Sequence, residues 1–120
     1  EAREAARLRE ELLVPIAKAW STDMGVEVAS AALQLHGGMG YVEETGAAQH
    51  YRDARIAPIY EGTNGIQAID LMGRKLGLAN GAAIRALITD IRVTAAELAA
   101  HGDEWLHRPA TRLLHAADAA

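Results

Sequence analysis

Ile59-Tyr60-Glu61-Gly62-Thr63 sets a carboxylate between an apolar run and a Gly-Thr pair that can open a helix. Burial of such a carboxylate among Ile56, Ile59 and Tyr60 disfavours its charged form and makes it a better base near neutral pH. The same pattern also describes a solvated loop acid, or a first-turn acid beside a helix dipole, as most glutamates are exposed. A second stretch, Gln34-Leu35-His36-Gly37-Gly38-Met39-Gly40-Tyr41, places three glycines within four residues at a helix end. Glycines there let the backbone approach a ligand and aim its amides at an anion. On spacing alone, a helix stop followed by a turn is the favoured account of them. The stretch is not the dinucleotide fingerprint, because it follows a helix and no strand precedes it.

Other chemistries find less support. Arg52-Asp53-Ala54-Arg55 has the residues of a phosphate clamp, but reads better as a local ion-pair cluster tying a helix end to a turn. The five histidines (His36, His50, His101, His107 and His115) lack ligand spacing with one another or with carboxylates, so no metal site is expected. Ser21 and Ser30 have no histidine partner, which leaves a hydrolase triad unsupported. The chain has no cysteine, which removes disulfides, thiolate ligands and a cysteine nucleophile.

The elements that position these residues read as helices. The 120 residues include 26 alanines, no phenylalanine and only 4% aromatics, a composition that suits close-packed helices better than strands. A formal net charge of -4 argues against a nucleic-acid or anionic-membrane surface, and no apolar run approaches the roughly 18 residues of a membrane span. Glu1 to about Leu13 is an amphipathic helix that Pro15 is expected to interrupt. Ser21 or Thr22 is expected to cap a new helix carrying Met24, Val28 and Leu35, which Gly37-Gly38 stops. Glu43 to Ala54 reads as a short helix, Arg55 to Tyr60 as a turn, and Thr63 to Leu76 as a helix with Ile66, Ile69, Met72 and Leu76 facing inward. Asn80 is expected to cap a long helix with the stripe Ile84, Leu87, Ile88, Ile91, Ala95 and Leu98. A last helix carries Leu113 and Leu114 after Trp105 and Pro109. The fold class is all-α, a helical bundle, with packing knobs expected from Val28, Leu35, Ile69 and Leu87. Nothing at the start resembles a signal peptide, and an opening in charged helical register, as if in the middle of a helix, leads to the expectation that this is a fragment of a larger chain.

Three strings, in this order and at this spacing, carry a specific resemblance: Ala31 to Tyr41, then Tyr51-Arg52-Asp53-Ala54-Arg55-Ile56, then Ile59-Tyr60-Glu61-Gly62-Thr63 through Ile66-Gln67. Together they resemble the C-terminal helical domain of the acyl-CoA dehydrogenases. The longer form, with Gly62 through Leu71 and then Gly73-Arg74-Lys75-Leu76, is similar to a larger subgroup that includes the 3-methylmercaptopropionyl-CoA dehydrogenases. On that resemblance residues 1–78 are a partial C-terminal helical domain, and residues 79–120 start a further helical segment.

The resemblance implies an FAD-dependent flavoprotein oxidoreductase of fatty-acid metabolism that converts an acyl-CoA to the trans-2-enoyl-CoA. It implies Glu61 as the base that removes the α-proton while the β-hydrogen leaves as hydride to FAD. It implies Gly62 as a close approach to the acyl group and flavin, and Thr63 as a hydroxyl near the FAD. Gln34, Gly37 and Gly38 are implied to contact the ADP half of an FAD held mainly by a neighbouring subunit. Gly65 stands where many family members carry a second polar side chain, so a flavin contact made there is lost or moved. Also implied are an electron-transfer flavoprotein or other acceptor, a homodimer or homotetramer, and a cytoplasmic location. The isolated chain is expected neither to retain FAD nor to turn over acyl-CoA, since the family's other domains hold much of the ligand surface. The alternative is a non-enzymatic helical assembly module that packs with a partner chain, to which the short length and the clean stripe after Asn80 point.

Overall fold

The computed structural model describes residues 1–119, and every regular element among them is helical. Ala120 lies outside the described residues. The order is α1 (Ala2–Leu35), α2 (Gly38–Tyr41), a 3-10 turn (Glu43–Thr45), α3 (Ala47–Ile56), α4 (Asn64–Asp70) continuing into a π-helical turn (Leu71–Lys75), α5 (Ala82–Ala100), a second 3-10 turn (Glu104–Leu106) and α6 (His107–Asp118). The chain forms two compact units: Glu10–Lys75, and Glu1–Arg9 with the chain from Leu76 onward. None of the described helices is long and apolar enough to cross a membrane.

In the unit of residues 10–75, Pro15 does not interrupt the first helix, as its sequence position suggested. A proline inside a helix forfeits one backbone hydrogen bond and costs about 3 kcal/mol or more. Here Pro15 and Leu12 are both fully buried, one turn apart, and the apolar area they remove from water offsets that cost. With the helix continuous, Ser21 and Thr22 have no free amides to cap. Their hydroxyls donate back along the helix instead, to the Ala17 carbonyl at 2.6 Å and the Lys18 carbonyl at 2.8 Å. Gly37 ends α1 with φ 59 and ψ -144, a conformation that an L side chain rarely adopts. Thr63 caps α4, its hydroxyl oxygen accepting from the Ile66 amide at 3.2 Å.

In the other unit α5 packs on α6 through small residues. Ala95, Ala110 and Ala117 are buried, and Arg92 reaches from α5 to donate to the Ala117 carbonyl at 3.2 Å and the Asp118 carboxylate at 3.1 Å. Arg9 pairs with Asp90 of α5. The cap of α5 is Gly81 (φ 78), not Asn80. Ala79, Asn80 and Gly81 are all left-handed, so Asn80 is spent on the turn that precedes the helix. Pro109 is the third residue of α6, within the first turn, where a missing N–H costs nothing.

Most of the expected packing knobs are exposed. Val28 is 64%, Leu35 89% and Ile69 69% exposed, while Leu87 is half-buried. Ile66 and Met72, expected to face inward, are exposed as well, as is Trp105. The apolar stripes exist at the expected spacing, but the described residues supply few surfaces to cover them. The fully buried apolar side chains are few, and most of them are alanine. Leu12→Ala is therefore expected to cost about 2–5 kcal/mol in urea unfolding, whereas Leu35→Ala should stay within about 0.5 kcal/mol of the parent chain. Equal effects at the two positions would contradict this division of the apolar residues.

Candidate functional site

The expected site residues Gln34, Gly37, Gly38, Glu61, Gly62 and Thr63 all belong to the unit of residues 10–75. They lie on two turns that share no hydrogen bond. The first turn joins α1 to α2. A Cβ at Gly40 would lie 2.3 Å from the Leu33 carbonyl oxygen, so this glycine is required by the abutment of the two helices. Gly37 is required by its backbone angles. Gly38 answers to neither constraint: its φ is not positive, and a Cβ there meets nothing within 4 Å. Gln34 is exposed, and its side chain makes no hydrogen bond among the described residues.

The second turn joins α3 to α4. Ile59 and Tyr60 amides donate to the Ile56 carbonyl at 2.9 and 3.1 Å, and the Asn64 amide closes the turn onto the carbonyl of buried Pro58 at 3.1 Å. Glu61 sits inside this closed turn at φ 53, followed by Gly62 at φ 87. A left-handed glutamate costs about 1–2 kcal/mol and persists only where its surroundings hold it. Those surroundings come from α1. Lys18 donates through Nζ to the Gly62 carbonyl at 2.8 Å and to Asn64 Oδ1 at 2.9 Å. Asn64 Nδ2 in turn donates to the Ala19 carbonyl at 3.1 Å and to Asp23 Oδ1 at 2.8 Å, and the Thr22 hydroxyl lies 3.2 Å from Asn64 Oδ1. Gln67 Nε2 adds a longer bond, 3.3 Å, to the Gly62 carbonyl.

The burial expected for Glu61 is not found. Glu61 is exposed, and Ile56, Ile59 and Tyr60 are each about half exposed. The left-handed backbone turns the residue outward, and the apolar flank that was expected to cover it faces solvent beside it. The Glu61 carboxylate makes no hydrogen bond or ion pair among the described residues. Lys18 and Asn64 were not singled out by sequence reasoning. No local signal reveals the contacts they make, which span more than forty residues of chain.

Arg52 behaves as the ion-pair reading expects. Its guanidinium donates to both oxygens of Glu43 at 2.8 and 2.7 Å and to Gln49 Oε1 at 2.7 Å, clamping the 3-10 turn to α3. Asp53 accepts from Gln49 Nε2 at 2.6 Å. The Arg52 hydrogen bonds, and secondarily its charge, hold the Glu43 carboxyl below the usual glutamate value.

The model of the acyl-CoA dehydrogenase C-terminal domain matches residues 1–76. The chain belongs to the acyl-CoA dehydrogenase family. It is 51% identical over 116 residues to 3-methylmercaptopropionyl-CoA dehydrogenase of Ruegeria pomeroyi, covering 97% of this chain and 20% of that protein. Butyryl-CoA dehydrogenase of Syntrophomonas wolfei is 36% identical over 91 residues, 76% of this chain and 15% of its own length. The human mitochondrial short-chain specific acyl-CoA dehydrogenase is 46% identical over 61 residues, 51% of this chain and 15% of its own. The chain thus spans a fifth or less of the length of these relatives.

The Glu43–Arg52 pair carries a pH dependence of known sign. Because the folded-state pKa of Glu43 is depressed, the pair stabilises the fold above the ordinary glutamate value of about 4.3. That contribution is lost as pH falls through the lowered value. Arg52→Gln should lower the melting temperature at neutral pH and low salt, with the gap to the parent chain closing on acidification. A gap that widens as pH falls would contradict the assignment.

Proposed function

We propose that this chain is part of an FAD-dependent acyl-CoA dehydrogenase, in which Glu61 removes the α-proton of an acyl-CoA thioester to give the trans-2-enoyl-CoA. The observation that carries this reading is a carboxylate with no partner among the described residues, held in a left-handed conformation by a closed turn. Backbone strain of this kind is kept where a side chain must be aimed. An α-proton is weakly acidic, so the base must be positioned at the Cα and water kept from it. Ile56, Ile59 and Tyr60 flank the carboxylate with apolar surface that is open for an acyl chain to cover. Gly62 is left-handed, and in this reading its backbone passes close to the acyl group.

The fit to FAD rests on Gly38 and Gln34. An open Gly38 that no packing or backbone constraint requires suits a ligand passing close to the chain, and Gln34 offers amide donors and an acceptor with no competing partner. Gln34, Gly37 and Gly38 would hold the ADP half, and the Thr63 hydroxyl, whose oxygen caps α4, keeps its proton free to donate to the flavin. Bound FAD supplies the acceptor for the β-hydride. In this reading the enzyme is a cytoplasmic homodimer or homotetramer and delivers its electrons to an electron-transfer flavoprotein or another carrier. The isolated chain, with its ligand residues open on exposed turns, neither retains FAD nor turns over substrate. The substrate candidates are short acyl-CoA thioesters, including 3-methylmercaptopropionyl-CoA and butyryl-CoA, after the substrates in the names of the relatives.

Glu61→Gln in the flavin-loaded enzyme containing this chain should lower kcat with either thioester by about 10²–10⁴-fold, at unchanged flavin content. A variant with parental kcat would remove Glu61 as the base. Gly38→Ala should leave the melting temperature of the chain unchanged and weaken flavin retention in that enzyme. Gly40→Ala, which clashes with the Leu33 carbonyl, should lower the melting temperature. Parental flavin retention in Gly38→Ala would remove that position from the flavin contacts.

A further inference from the structure

We infer that Lys18 is a positioning residue for the base: it acts on Glu61 through the Gly62 carbonyl, and Asn64 anchors it. The inference rests on the dehydrogenase reading of Glu61. Three constraints converge on the turn that carries the carboxylate. The Asn64 amide closes the turn on the Pro58 carbonyl at 3.1 Å. Lys18 Nζ grips the Gly62 carbonyl at 2.8 Å from the side of α1. Asn64, gripped by the same ammonium at 2.9 Å, fastens to α1 at the Ala19 carbonyl and the Asp23 carboxylate.

Lys18 is half-buried, and the partners recorded for its ammonium are a carbonyl and an amide oxygen, with no carboxylate among them. A charge-assisted bond to the Gly62 carbonyl fixes the Gly62–Thr63 peptide plane, one residue past Glu61. The Gln67 amide reaches the same carbonyl at 3.3 Å and is the weaker of the two donors by distance. Lys18 itself is placed by a long continuous helix, whereas the turn has a strained backbone at Glu61. Without Lys18 the turn keeps its closing bond and the Asn64 contacts to α1, but the Gly62 carbonyl loses its charge-assisted donor, so the carboxylate gains freedom to move relative to a bound thioester. The positioning is felt in the proton-abstraction step, and binding of the remote CoA portion is untouched.

The test is Lys18→Met, of similar length and without the donors, in the flavin-loaded enzyme containing this chain. Butyryl-CoA and its α,α-dideuterated form serve as substrates. The expected result is a fall in kcat of about 10- to 100-fold, the scale of a small misplacement of a reacting group. KM and flavin content should stay within about twofold, and the α-deuterium isotope effect on kcat should rise as proton abstraction becomes limiting. Parental kcat and isotope effect, or a loss of kcat in proportion to lost flavin, would overturn the inference. If Lys18→Met does not fold, Asn64→Ser, which keeps a helix-start residue but removes the reach to Ala19 and Asp23, is read by the same criteria. Glu61→Gln in the same series separates the two claims. Should Glu61→Gln keep its activity, the base reading fails, and this inference fails with it. Should Glu61→Gln lose activity while Lys18→Met keeps it, only the positioning role fails.

Discussion

The hydrogen bond from Lys18 to the Gly62 carbonyl ties the long helix α1 to the turn that holds a left-handed Glu61. A left-handed glutamate costs about 1–2 kcal/mol, and hydrogen bonds to a charged group contribute about 1.5–3 kcal/mol. The two magnitudes are comparable, so the lysine is one of the bonds that offset the strain at Glu61, alongside the turn's own closing bond and the Asn64 contacts. The continuity of α1 through Pro15 matters for the same reason. Lys18 lies one turn beyond the proline, and a helix broken there would present it on a different face.

Burial is sparse in this chain, and its distribution is informative. Leu12 and Pro15 anchor α1, alanines seat α6 on α5, and the larger apolar side chains of the expected stripes stay exposed. The exposed side chains include Val28, Leu35, Ile69 and Met72, each more than half open to solvent. That agrees with a chain spanning a fifth or less of the length of its relatives. The exposure of Glu61 belongs to the same pattern, because a carboxylate is desolvated only by surfaces that close over it.

The two glycine-bearing turns differ in how far packing explains them. Gly40 and Gly37 are accounted for by contact and by backbone angle, and Gly62 by its positive φ, but Gly38 has no such account within the chain. Gln34, in the last turn of α1, is exposed and makes no side-chain hydrogen bond among the described residues.

Local chemistry was legible in the sequence by itself. Thr63 caps α4 because a hydroxyl three residues before an amide is the local solution to an unsatisfied helix start. Gly37 ends α1 because only glycine readily takes its angles, and the helical class follows from the alanine content and the 3.6-residue spacing. The strings that carry the family resemblance are equally local. What the tertiary structure decided is whatever depends on residues distant in sequence. Pro15 stays inside a helix because it is buried, which periodicity does not reveal. Val28, Leu35 and Ile69 have the spacing of a core and lie open, because spacing names a face and not what covers it. Lys18 carries no motif, and Asn64, although inside a string that carries the resemblance, has no sequence signal for the contacts it makes. They matter because folding brings the middle of α1 against a turn more than forty residues away, where an ammonium group meets a carbonyl that needs holding.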